Sequence, residues 1–189
     1  MSVTFFNRGI RFLLLTNGLV LLGGAMIGPV YALFVEEIGG TLLYASLTGA
    51  VFALSAGLTS LLAGRVADNT KKPHRIVAIG YSLMATGFFS YSLVSSIWAL
   101  LAVQLVIGVG EALYAPPFDS MYSRCSTKTK AGREWGTWES LSYFSAGIGA
   151  VIGGLVIEWF GFDVVFYSMT VMTLAGAAAM FTAPRKVLG

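Results

Sequence analysis

The twelve Lys and Arg residues of this 189-residue chain fall only in alternate gaps between long apolar runs. Arg8 and Arg11 precede the first run, and Arg65, Lys71, Lys72 and Arg75 separate the second from the third. Arg124, Lys128, Lys130 and Arg133 separate the fourth from the fifth, and Arg185 and Lys186 follow the sixth. The other three gaps hold no cation, only Glu36, Glu37, Glu158 and Asp163. Chains that cross a bilayer keep their Lys and Arg on the cytoplasmic side. This alternation holds only if every run crosses once, so six crossings with both termini cytoplasmic are expected.

The runs cover residues 12–34, 42–62, 76–94, 97–122, 138–157 and 164–181, each near the ~20 residues a helix needs to span the hydrocarbon. Spanning strands would alternate apolar and polar residues. These runs do not, so an all-α integral membrane protein is expected. With 56% hydrophobic and 11% charged residues, the chain could not cover its own apolar surface in water, where roughly a quarter of residues are charged. The net charge of +3 forms no continuous basic face, so nucleic acid is not an expected partner. A single cysteine, Cys125, excludes an internal disulfide and fits a reducing compartment. The first run is too long for the roughly 7–15-residue core of a signal peptide, so no cleavable leader is expected. One domain, residues 1–189, accommodates all six runs.

Many of the 23 glycines lie inside the runs. Gly149 and Gly153 are four apart, as are Ala150 and Gly154, on neighbouring stripes of the fifth run. Small residues let helix backbones approach closely in lipid, for tight packing or for sliding during a conformational cycle. Pro29 in the first run and Pro116-Pro117 in the fourth should bend their helices. The short Ser95-Ser96 turn makes the third and fourth runs antiparallel neighbours. Gly64-Arg-Val-Ala-Asp68 ends the second run, and Gly154-Leu-Val-Ile-Glu158 ends the fifth on the opposite membrane face. A glycine, three residues and an acid at matching places is the trace of an inverted repeat, approximately residues 1–94 against 95–189.

These motifs resemble the amino-terminal six-helix half of the major facilitator superfamily, in its drug and metabolite exporter branch. Gly64 and Asp68 match the family's loop between helices 2 and 3, with Asn69 and Lys71 departing from it and Lys72, His74 and Arg75 continuing the basic cluster. Gln104-Leu-Val-Ile-Gly108-Val-Gly110 matches the helix 4 signature except that Gln104 replaces an arginine implicated in proton coupling. Glu111-Ala112-Leu-Tyr-Ala-Pro116 resembles the stretch that follows. Gly132, Arg133 and Gly136 look like the entry to helix 5, and Gly149, Gly153 and Gly154 keep its glycines without its proline. The resemblance covers essentially the whole chain and implies half of a twelve-helix fold. It also implies that the Asp68 loop contacts the other half of the transporter and steadies the outward-facing state.

Glu111 is the strongest functional candidate, because a charged carboxylate near the middle of a membrane helix costs roughly 2.5–3.5 kcal/mol. Lining a polar cavity, it could exchange a proton with either side as access alternates; the bland reading is a structural carboxyl bonded to a neighbouring helix. Gln104 lies seven residues earlier, within about 20° on an ideal helix, and shares its face with Gly108 and Ala115. Asn17 has two readings, an interhelical hydrogen bond or a substrate contact. Tyr31, Tyr114 and Trp138 either line the cavity or anchor helix ends at the interface. Asp119 and Glu139 either pair with Arg124 or Arg133 or form a cytoplasmic gate. Asp68 is expected to bond the amides of a facing helix end. No metal-ligand spacing, phosphate loop or nucleophile elbow is present, so neither a cofactor nor an enzymatic activity is expected.

The resulting expectation is a secondary transporter in the inner or plasma membrane of a bacterium or archaeon. Its substrate cavity takes Asn17, Gln104, Glu111 and Tyr114, with Glu111 as the proton site. Gating and structural roles fall to Gly64, Asp68, Asp119, Arg133, Glu139, Gly149, Gly153 and Gly154. The partners are the lipid bilayer, a small lipophilic, neutral or cationic substrate, protons, and a second copy of the chain. Two alternatives stay open: a half needing a distinct carboxy-terminal partner, and a membrane interaction subunit that transports nothing.

Overall fold

Asn7 starts the first helix by accepting a hydrogen bond from the Ile10 amide at 2.8 Å, which satisfies one orphan donor of the first turn. The computed structural model describes residues 6–183; Arg185 and Lys186 lie outside them. Seven α-helices make up the described chain: α1 (Arg8–Ala25), α2 (Tyr31–Glu37), α3 (Leu42–Asn69), α4 (Pro73–Tyr91), α5 (Ile97–Cys125), α6 (Ala131–Phe160) and α7 (Phe162–Thr182). α1 and α2 form one crossing, interrupted by a 3-10 turn at Gly28–Val30 that carries Pro29. Pro116 and Pro117, by contrast, lie inside an unbroken α5.

Counting α1 and α2 together, six helical segments result, five of them longer than the matching apolar runs and α4 of the same length. Five of them are long and apolar enough to cross a membrane. α4 is the exception: it opens on Pro73, His74 and Arg75 and carries Tyr81, Ser82, Thr86 and Ser90. It packs against both α5 and α7, and its buried face runs from His74 to Tyr91. Protein rather than lipid surrounds much of it, so it tolerates less apolar side chains.

Glycines set the closest crossings. A Cβ at Gly80 of α4 would fall 2.7 Å from the Gly110 carbonyl oxygen of α5, and one at Gly110 would fall 2.9 Å from the Gly80 oxygen. The two helices therefore touch backbone to backbone, as small residues allow. α1 packs on α6 and α7, and α3 on α5. α3 and α6 keep broad exposed faces, which include Leu54, Leu58, Tyr143 and Phe144.

The cation-bearing helix ends gather at one end of the bundle. Asn7 Nδ2 donates to the Cys125 carbonyl at 2.6 Å, joining the start of α1 to the end of α5. Arg133 lies over the Phe6 ring and Arg75 over the Phe181 ring, each 5.8 Å from the centroid. At the other end Phe34 of α2 meets Phe162 and Phe166 of α7, with centroids 5.5 and 4.9 Å apart.

Candidate transport cavity

A cavity of about 480 Å³ opens between the crossings formed by α1 and α2, α3, α4, α5 and α6. α5 supplies its polar wall, because Gln104, Ile107, Glu111 and Tyr114 recur at helical spacing on one side of that helix. Phe52 of α3, Met84 and Phe88 of α4, and Gly24 and Ala25 of α1 make the rest largely apolar. Tyr31 of α2 and Ser142 of α6 add hydroxyls. Glu111 is the one acidic side chain among the lining residues, and it is partly buried. Tyr114 stands one turn further along α5 on the same wall.

A hydrogen-bonded chain fixes the end of the cavity nearer the acidic loops. Gln104 Nε2 donates to the Tyr31 hydroxyl oxygen at 2.6 Å. Tyr31 donates to Thr48 Oγ1 at 2.8 Å, and Thr48 donates to the Ala45 carbonyl at 2.8 Å. Three crossings are tied together, and the series ends on a backbone acceptor that needs no further partner. Beyond it Tyr91 packs on Phe166, centroids 5.2 Å apart. Towards the basic end the cavity gives way to a second aromatic cluster, where Phe118 meets Trp138 at 5.1 Å and Tyr122 meets Trp135 at 5.0 Å.

Gln104, Glu111 and Tyr114 thus share one wall, with Tyr31 facing Gln104. Asn17 is not among the lining residues. It is fully buried and accepts a hydrogen bond from Tyr81 of α4 at 2.6 Å, which is an interhelical contact. Trp138 belongs to the aromatic cluster at the basic end. Asp119 and Glu139 are exposed, on α5 and α6. Asp68 is exposed at the end of α3, and among the described residues it bonds no facing helix end. Gly149 is buried against Leu22 and Ala25 of α1 and Gly153 against Met26 just past its end, where a Cβ at Gly153 would lie 1.9 Å from the Met26 carbonyl oxygen. Gly64 and Gly154 have nothing within 4 Å of such a Cβ.

Two features escape sequence reading. Tyr81 is a tyrosine in an apolar run with no visible partner, and only the fold brings it to Asn17. Glu134 stands among cations at the start of α6 yet is buried; its Oε2 accepts from the Ser126 hydroxyl at 2.6 Å and the Thr127 amide at 2.8 Å. Its place in the first turn of α6, where an acid complements the helix dipole, is the signal that could have marked it.

The described helices match known folds and sequences in the same way. A solved structure of a POT family transporter in complex with 5-aminolevulinic acid superposes on the whole chain with a TM-score of 0.80 at 17% identity, using 40% of its own length. An uncharacterized MFS-type transporter of Methanocaldococcus jannaschii is 26% identical over 161 residues, 85% of this chain and 42% of the relative. Multidrug resistance protein MdtH of Edwardsiella ictaluri is 29% identical over 174 residues, 91% of this chain and 41% of the relative. The chain thus spans about two-fifths of the length of these curated relatives. The profile of the Major Facilitator Superfamily matches residues 13–188, and the chain belongs to that family of integral membrane transport proteins.

Proposed function

We propose that the chain is one six-helix unit of a secondary active transporter and works paired with a second copy by alternating access. The observation that carries this reading is the cavity: a largely apolar, aromatic-lined space of about 480 Å³ with one carboxyl, Glu111, on its wall. Such a site suits a small lipophilic, neutral or cationic molecule, because the apolar walls take its body and the carboxyl balances a positive charge. Glu111 is the proposed proton site, loaded and unloaded as the cavity faces each side in turn. The direction is export or proton-coupled exchange, in keeping with the multidrug resistance names of MdtH and of a PmrA homolog from Lactococcus lactis. The basic end of the bundle is cytoplasmic in this reading.

The two three-helix segments are proposed as inverted repeats. Gly57, Gly64 and Asp68 on α3 have the same spacing as Gly147, Gly154 and Glu158 on α6, and all four glycines have open space where a Cβ would stand. Open glycines on the two most exposed helices offer a partner unit a close backbone approach. Parallel units related by an axis along the membrane normal would then recreate the two-half arrangement of secondary transporters. The length of the relatives favours one other reading, in which the partner is a distinct six-helix half. Crosslinking and mass measurement in mild detergent separate the two. Dimers of this chain support pairing with itself, and monomers alone refute it.

A further inference from the structure

We propose that the cavity selects an amine that carries a second hydrogen-bond donor about 10 Å away, at the far end of an apolar chain. The inference rests on the transport reading above and names the substrate class of that site. It follows from where the hydrogens of the polar wall go. The series that starts at Gln104 ends on the Ala45 carbonyl, which can only accept. The Thr48 hydroxyl has one hydrogen, so it spends it there and must accept from Tyr31. Tyr31 spends its own on Thr48 and must accept from Gln104. Gln104 can supply that hydrogen only from Nε2. The backbone terminus thus fixes the amide, with Nε2 against Tyr31 and Oε1 turned away from it.

Ser142 on α6 behaves in the same way, because its hydroxyl donates to the Trp138 carbonyl at 3.4 Å. Tyr31, Gln104 and Ser142 all line the cavity, and each commits a hydrogen to the protein while keeping an oxygen that can accept. Glu111 adds a carboxylate, which accepts only. A ligand that covers these acceptors without a donor leaves them dry and unpaired, which costs more than a bond made there returns. The wall therefore discriminates in favour of ligands that bring hydrogens.

Spacing on α5 sets the distance between the two donors. Gln104 and Glu111 are seven residues apart, about 10 Å along the axis and within about 20° of each other. Ile107 stands between them on the same wall, and Phe52, Met84 and Phe88 belong to the same lining. Read along α5, the wall is an amide oxygen, an apolar stretch and a carboxylate. Its complement is a donor at Gln104, a hydrocarbon chain along Ile107 and an ammonium at Glu111. A long α,ω-diamine or amino alcohol has those groups in that order.

The test measures affinity by ligand-induced thermal shift on the full chain in mild detergent, with octamethylenediamine, aminooctanol and octylamine as probes. The diamine and the amino alcohol should each bind about fivefold tighter than octylamine, the weight of one hydrogen bond. Apolar burial alone gives the reverse order, because octylamine is the most lipophilic of the three. Tetramethylenediamine, too short to reach both groups, should bind no better than butylamine. Gln104→Leu should bring the diamine down to octylamine, and octylamine binding reports that the variant is folded. Tyr31→Phe, which releases the amide, should also weaken the diamine more than octylamine. Octylamine binding as tightly as the diamine, or a preference that survives Gln104→Leu, would overturn the proposal and leave the cation cavity standing. Binding of none of the three would overturn the transport reading, and this proposal with it.

Discussion

Replacing Gly153 with alanine places a methyl group 1.9 Å from the Met26 carbonyl oxygen and 2.6 Å from its carbonyl carbon. Both are backbone atoms just past the end of α1, so no side chain can turn aside to admit the methyl. α1 and α6 must part by roughly 1 Å, a gap that forfeits about a quarter to a half of the dispersion attraction across the contact. Overpacking costs about 1–3 kcal/mol, and a clash with backbone belongs at the upper end. Gly154→Ala is the control on the next residue, where nothing lies within 4 Å of the new methyl. Both substitutions gain the same helix propensity, about 0.8–1 kcal/mol, so this term cancels between them. Gly153→Ala should therefore unfold about 6–12 °C below Gly154→Ala, at roughly 2–4 °C per kcal/mol for a chain of this size. Thermal unfolding in detergent, followed by tryptophan fluorescence, measures the difference. Equal midpoints would refute the packing of α6 on α1 described above.

Glu111→Gln should abolish pH-gradient-driven flux in proteoliposomes while leaving substrate exchange; normal proton-driven flux would remove Glu111 from the coupling. Tyr81→Phe takes from Asn17 its hydrogen-bond donor while Asn17 Nδ2 already lacks a partner among the described residues. It should cost about 1–2 kcal/mol on unfolding, and adding Asn17→Leu should recover part of the loss because both polar groups are then gone. Glu134→Ala strips the acceptor from Ser126 and Thr127. Hydrogen exchange at the Thr127 amide should accelerate, and stability should fall by about 1–3 kcal/mol.

The ends of the apolar runs were readable from charge because a bilayer penalises a cation buried in hydrocarbon, but α3 continues past Arg65 to Asn69, since a helix can extend beyond the hydrocarbon into the headgroup region. Pro29 was readable for a similar reason: its missing N–H acts locally, and the 3-10 turn lies on it. Pro116 and Pro117 carry the same signal and leave α5 continuous, since neighbouring helices hold it. The wall formed by Gln104 and Glu111 follows from their spacing on one helix. What spacing on one helix cannot show is which helix lies opposite. Tyr81 and Asn17 are 64 residues apart, and their contact exists only once α1 and α4 pack. The glycines divide for the same reason: Gly153 and Gly154 are adjacent and chemically alike, yet one touches backbone and its neighbour touches nothing.

The proposed transport depends on pairing between two copies of this chain. Flux of a lipophilic cation into proteoliposomes holding only this chain, followed as the protein is diluted into more lipid, tests it most directly. A homodimer predicts measurable flux whose rate per protein falls as dilution separates the copies. Absence of flux at every dilution would contradict the account, and a rate per protein independent of dilution would contradict the pairing.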